Sequence, residues 1–148
     1  TEMRDVVMSL AGDADVVIGV AAVADFRPAH FAPHKIKKEQ ADDAIGLIRN
    51  PDIIAEVAAL ENGPLVVGFA AETENLRKHA REKLSRKRLD MIAANRVGQE
   101  GSGFEVEENE ILLLTARGER PLGRGNKRQL ARRLIEEVAE VLGPVNRP

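Results

Sequence analysis

Apolar side chains at Met3, Val6, Val7 and Leu10 recur at helical spacing and stop at Gly12, so the chain is expected to open within or at the start of a helix. Residues 15 to 22 (DVVIGVAA) then form a short, continuous, β-branched run, the pattern of a strand buried on both faces of a parallel sheet. The same texture returns at residues 64 to 71 (PLVVGFAA) and 89 to 94 (LDMIAA). Helical stretches separate the three runs. Residues 50 to 60 offer Asn50 as N-cap, Pro51 at the first helical position and apolar side chains at Ile53, Ile54, Val57 and Leu60. Residues 74 to 88 carry a stripe at Leu76, Ala80 and Leu84. Strands alternating with helices predict βαβ crossovers and a doubly wound, Rossmann-like α/β fold with a mostly parallel sheet. After Asn95 the pattern changes. Residues 104 to 106 and 111 to 115 flank the turn-prone 107 to 110 and predict a β-hairpin, an antiparallel edge of a kind common on parallel sheets. From Asn126 a capped amphipathic helix with Leu130, Leu134, Val138 and Val141 is expected to run to Gly143, with Pro144 beyond it, and to close the domain.

At 148 residues one domain with one core is the expectation. The 22 basic and 24 acidic residues leave a net charge of -2, so no global field draws the chain onto nucleic acid or anionic lipid, and any basic site must be local. No cysteine is present, which excludes disulfides and thiolate catalysis and fits a reducing cytosol. The apolar runs are far shorter than the roughly 20 residues of a membrane span. The first 11 residues lack the charged start and cleavage site of a signal peptide. A soluble, cytoplasmic protein with neither nucleic acid nor membrane among its partners is expected. With four phenylalanines, no tyrosine and no tryptophan, its core must be aliphatic.

In open α/β sheets ligands sit outside the carboxyl ends of the strands, which directs attention to the residues just past each apolar run. The first ends in Ala21, Ala22, Val23, Ala24, Asp25 and Phe26, where small side chains let a ligand approach the backbone and a carboxylate follows. Asp25 there can hold a ribose hydroxyl or a metal, or simply cap a turn. The second ends in Phe69, Ala70, Ala71, Glu72 and Thr73; the Phe69 ring could cover a flat base or belong to the core. The third ends in Asn95, a ligand donor or a loop cap. Residues 27 to 50 form a long, weakly periodic stretch with the basic cluster Lys35, Lys37 and Lys38, either a lid whose lysines reach phosphates or a solvated face. His30 and His34 are four apart, but Pro28 and Pro33 argue against a helix there and hence against a zinc site. The predicted helix over 74 to 88 is strongly basic. Its Lys83 and Lys87, four apart, share a face and could point at a nucleotide, or could belong to a solvated or RNA-binding surface that lacks the usual stacking aromatics.

Together AAVADFRP at 21 to 28, KIKK at 35 to 38, RNPDII at 49 to 54, VVGFAAET at 66 to 73 and LDMIAAN at 89 to 95 resemble the phosphopantothenoylcysteine synthetase family. The resemblance holds in order and spacing over nearly the whole chain. In bacteria that family is commonly the C-terminal half of a bifunctional protein whose N-terminal half is a flavin-dependent decarboxylase. The resemblance implies a ligase of coenzyme A synthesis that uses CTP with Mg2+ to activate the carboxylate of 4'-phosphopantothenate as an acyl-cytidylate. The amine of cysteine then displaces CMP. FMN would belong to the fused decarboxylase and not to this chain. By the same resemblance, Ala21, Ala22, Asp25 and Phe26 cradle the nucleotide, with Asp25 contacting it directly or through the metal. Lys35 is the lid lysine that serves phosphate charge and the second half-reaction. Pro51, Asp52, Ile53 and Ile54 meet CTP at a helix start, whose free N–H groups suit anions. Phe69, Lys83 and Lys87 match the remaining nucleotide contacts, and Asn95, Lys37 and Lys38 fall on the substrate side. A homodimer, with the lid region in the subunit contact, is also implied.

The chain departs from the family in three places. Family members carry, before the opening helix, a strand and glycine-rich loop and then an asparagine that engages the acyl-cytidylate. Residues 1 to 148 are therefore expected to be a single ligase domain without that unit, or alternatively a nucleotide-binding fragment without turnover. Arg96 also stands where the family usually has an acidic residue, and the stretch between Lys38 and Ile45 is shorter than in some relatives.

Overall fold

The computed structural model describes residues 2–35, 44–97 and 108–143. Its elements are α1 (Glu2–Ala11), β1 (Val16–Gly19), β2 (Phe26–Pro28), β3 (Leu47–Arg49), α2 (Ile53–Ala58), β4 (Leu65–Glu72), α3 (Leu76–Lys87), β5 (Met91–Arg96), β6 (Glu108–Thr115), β7 (Gly118–Asn126) and α4 (Lys127–Leu142). A five-stranded sheet runs in the order β1-β4-β5-β6-β7. The first three strands are parallel, and β6 and β7 add antiparallel to them. The mixed sheet with helices on both faces is the α/β architecture expected from the alternating pattern.

Side chains on β4, β5 and β6 alternate between two cores, as the period of two in a strand requires. Val66, Ala70, Ile92, Ala94, Leu112 and Leu114 pack with Ala11 of α1, Val57 of α2 and Ala80 and Leu84 of α3. Val67, Met91, Ala93, Ile111 and Leu113 pack on the opposite face with Leu130, Leu134 and Val138 of α4. Because both faces are covered, the central strands read as unbroken apolar runs. No buried side chain of the described core is polar or charged.

Four sequence expectations change. The run at 15 to 22 was expected to be buried on both faces, but β1 spans only Val16–Gly19, lies at the sheet edge and is half-buried throughout. A continuous apolar run specifies a strand without specifying which neighbours it acquires. Asn50 does not cap α2: the cap is Asp52, whose carboxylate accepts from the Ala55 N–H at 3.4 Å, and Pro51 lies outside the helix. The hairpin is formed by β6 and β7, so 108 to 110 are strand and not turn, while 104 to 106 lie outside the described residues. The stretch between Arg27 and Asn50 is closed at its base by β2 pairing antiparallel with β3, a two-stranded ribbon separate from the main sheet.

The closing helix follows its sequence pattern. Asn126 caps α4 and exchanges hydrogen bonds with Gln129, a capping box, and Gly143 ends the helix with positive φ. No described helix is long and apolar enough to cross a membrane.

Candidate functional site

Past the carboxyl ends of β1, β4 and β5, and under the N-terminal half of α4, lies a cleft of about 570 Å³. Ala21 and Ala22 line it from the end of β1, Phe69 from β4, Asn95 from β5, and Lys127 and Leu130 from α4. Four of the residues nominated from sequence therefore meet in one concavity. Phe69 faces it because odd-numbered positions of β4 point to the α4 side, where its ring also packs against the core. Asn109, unremarked in the sequence, lines the same cleft with its Oδ1 buried and without a hydrogen-bond partner among the described residues.

Lys83 and Lys87 occupy the other side of the sheet. Glu72, the last residue of β4, turns toward α3, where its carboxylate lies 3.6 Å from Lys83 Nζ and 3.1 Å from His79 Nδ1. Lys87 Nζ pairs with Asp52 at 2.8 Å, joining the last turn of α3 to the cap of α2. His79, Lys83 and Lys87 follow at intervals of four and so share a helix face. The outer cations of the helix are committed elsewhere: Arg81 and Arg77 hold Glu119 of β7 at 2.6 and 3.0 Å. The hydrogen bond from Arg81 keeps the Glu119 carboxyl below the usual range, with Arg77 adding to it and desolvation opposing. The helix predicted to be a strongly positive surface is therefore partly neutralised by its own fold.

The segment from Ala21 to Phe26 and the start of α2 meet at Asn50. Its backbone N–H donates to the Asp25 carbonyl at 2.8 Å, and its side-chain amide donates to the Ala24 carbonyl at 2.8 Å. Arg27 completes the group by donating to Asn50 Oδ1 at 2.7 Å. Gly19 brings α2 against β1, since a Cβ there would lie 2.8 Å from Ile54 Cδ1. Asp25 is exposed, and its side chain has no hydrogen-bond or ion-pair partner among the described residues. Phe26 is half exposed, with the Arg49 guanidinium 5.1 Å from its ring centroid. Ile53 opens α2, and Lys35 is exposed; Lys37 and Lys38 lie outside the described residues. Sequence patterning missed Asn50 as a tether, Glu72 and Asn109. The GFAAET segment around Glu72 was visible, but no local signal reveals which face a strand-end carboxylate will take.

The model of the DNA/pantothenate metabolism flavoprotein C-terminal domain family matches residues 1–142. The chain belongs to this family. It is 43% identical over 145 residues to the coenzyme A biosynthesis bifunctional protein CoaBC of Vibrio vulnificus (strain CMCP6), covering 96% of this chain and 36% of that protein. Against the CoaBC of Escherichia coli (strain K12) it is 43% identical over 150 residues, covering 99% and 37%. The chain thus spans little more than a third of the length of these relatives. Among solved structures, the C-terminal domain of a coenzyme A biosynthesis bifunctional protein CoaBC superposes with a TM-score of 0.75 at 29% identity, over 95% of this chain and 61% of that one. A DNA/pantothenate metabolism flavoprotein from Streptococcus pneumoniae shares the fold, with a TM-score of 0.68 at 21% identity over 96% of this chain and 66% of that one. The family is the one to which the motif order pointed.

Proposed function

We propose that this chain is the ligase unit of a coenzyme A biosynthesis enzyme, joining 4'-phosphopantothenate to cysteine through an acyl-cytidylate made with CTP. The observation that carries the reading is the grouping of three family motifs at the carboxyl ends of β1, β4 and β5, with a fourth tied to them through Asn50, in a chain 43% identical to CoaBC proteins over nearly its full length. The two sides of the sheet there suit the two ends of a nucleotide. Ala21, Ala22 and the Phe69 ring offer a small-residue, apolar surface for a planar base, and Lys83 and Lys87 offer ammonium groups for phosphates, where charge neutralisation is the main catalytic need. Asp52 and the α2 start complete that side. Lys35 would meet the phosphate charge and serve the attack by the cysteine amine.

Mg2+ suits this donor set, because it is typically held by one or two carboxylates together with substrate phosphates. Asp25 offers an exposed, unpaired carboxylate, and among the described residues no group of three or more His, Cys, Asp or Glu gathers into a cage. Asp25 would hold the ion with the nucleotide, and the ion would supply neutralisation of the phosphates. A homodimer fits the ribbon of β2 and β3, which stands off the main sheet and exposes Phe26, Leu47 and Ile48, with Phe31 beside it 90% exposed. Two-stranded ribbons are marginal alone, and a second ribbon would cover these side chains. The reading also includes a cytoplasmic setting and a fused or partner flavin-dependent decarboxylase. A second reading, a nucleotide-binding unit that turns over only with the rest of a longer protein, is favoured by the share of its relatives that the chain spans.

Titration of the chain with CTP and with ATP, each with Mg2+, tests the site, with CTP expected to bind and ATP to bind less well. In the full-length enzyme Lys35→Ala should leave CTP binding detectable and stop ligation. Absence of nucleotide binding by the full-length protein, or unchanged turnover of the Lys35 variant, would overturn the corresponding part of the proposal.

A further inference from the structure

We infer that Asn50 is a positioning residue that fixes the Asp25 segment against the start of α2, so that two separate stretches of nucleotide contacts act as one rigid unit. The inference rests on the nucleotide reading above and concerns a residue whose apparent sequence role, capping α2, is taken by Asp52. Freed from the cap, the Asn50 amide is spent on tertiary bonds. Nδ2 donates to the Ala24 carbonyl at 2.8 Å and Oδ1 accepts from Arg27 Nη1 at 2.7 Å. The backbone N–H adds a third bond, to the Asp25 carbonyl at 2.8 Å. Successive carbonyls, of Ala24 and Asp25, are therefore held by one residue placed two positions before the α2 cap.

This arrangement answers a mechanical problem. Residues 20–25 belong to no helix or strand and are exposed, and a loop of that kind loses conformational entropy when a ligand orders it. Asn50 supplies that order in advance. It does so on a partly buried side chain, and the bond it takes from the charged Arg27 guanidinium is stronger than a neutral one. Arg27 also donates to the Arg49 carbonyl at 3.3 Å, so the ribbon strands β2 and β3 and the tether are one connected group. Aspartate cannot replace Asn50: a carboxylate would still accept from Arg27 but would turn an oxygen toward the Ala24 carbonyl.

The experiment is a double-mutant cycle on binding of CTP with Mg2+ to the full-length protein, using Asn50→Ala, Asp25→Ala and the pair, with thermal unfolding of each. Loss of two side-chain hydrogen bonds of ordinary strength predicts CTP binding weakened about five- to thirtyfold in Asn50→Ala. In the Asp25→Ala background the same substitution should add little, because its effect runs through the Asp25 segment. A purely structural role would weaken both backgrounds equally, and that result overturns the inference, as does unchanged binding in the single variant. If Asp25→Ala itself leaves CTP binding intact, the nucleotide role of Asp25 falls instead, and the two failures are told apart. Should Asn50→Ala not fold, Asn50→Asp in the same cycle decides: binding as tight as in the unaltered protein would overturn the tether.

Discussion

The two faces of the sheet end differently although one strand serves both. On the α4 side, β4 delivers Phe69 into a cleft walled by Ala21, Ala22 and Leu130. Three residues later, on the α3 side, it delivers Glu72 to His79 and Lys83. A strand alternates its faces residue by residue, so a short motif can build an apolar wall and a charged wall at once. The helices decide what each wall becomes. α4 contributes Leu130 and Leu134 to one core, whereas α3 buries Ala80 and Leu84 in the other and adds cations that meet Glu72 of β4, Glu119 of β7 and Asp52 at the cap of α2. Both helices are held by packing, which is expensive to disturb, while the ion pairs that α3 adds at the strand ends are partly exposed and are not.

The largest expected effect is therefore on the apolar side. Leu130 is 1% exposed and both lines the cleft and packs in the core, so Leu130→Ala should lower unfolding stability by about 2–5 kcal/mol. Urea denaturation measures it, and a loss under about 1 kcal/mol would mean that α4 is not the fixed wall described. On the charged side the order should reverse. Lys83→Ala should barely move the denaturation midpoint, because its 3.6 Å pair with Glu72 is loose, yet weaken CTP binding about tenfold, equivalent to about 1.4 kcal/mol. Equal stability losses in the two variants would erase the contrast. The smallest effect concerns the outer cations of α3. The Glu119 carboxyl sits below its ordinary range because of Arg81, so its pairing stabilises the fold above the unfolded-state value of about 4.3 and is lost as pH falls through the lower folded-state value. Arg81→Ala should flatten that acid limb slightly in a thermal series across pH, while nucleotide affinity at neutral pH stays as it was.

Legibility followed the range of the forces involved. α4 could be read to its ends because its cap, stripe and terminal glycine are local signals within 18 residues. β7 could not. Its sequence GERPLGRGN has glycines, a proline and charges, and it becomes a strand through its register with β6. A shift in that register between Ile111 and Leu112 leaves Leu122 as the extra residue between Pro121 and Gly123, the glycine at φ 77°, as a β-bulge allows. The site divided in the same way. That Ala21, Ala22, Phe69 and Asn95 line one cleft could be anticipated because all four lie at strand ends, a rule that needs only the strands. Asn50 was misread because an asparagine before a proline and an apolar helix looks like a cap. The structure spends it on carbonyls 25 and 26 positions away along the chain.

What the sequence determined by itself is the fold class, the three parallel strands with the helices around them, and the family, because periodicity, caps and five short motifs are properties of neighbouring residues. Tertiary structure alone decided that β1 is an edge, that Lys83 and Lys87 face carboxylates across the sheet from Phe69, and that Asn50 ties two distant segments together. Each of these depends on which residues far apart in the chain are brought within a few ångströms. No local pattern encodes that distance, since it is set by the packing of helices onto a sheet whose strand order the sequence leaves open.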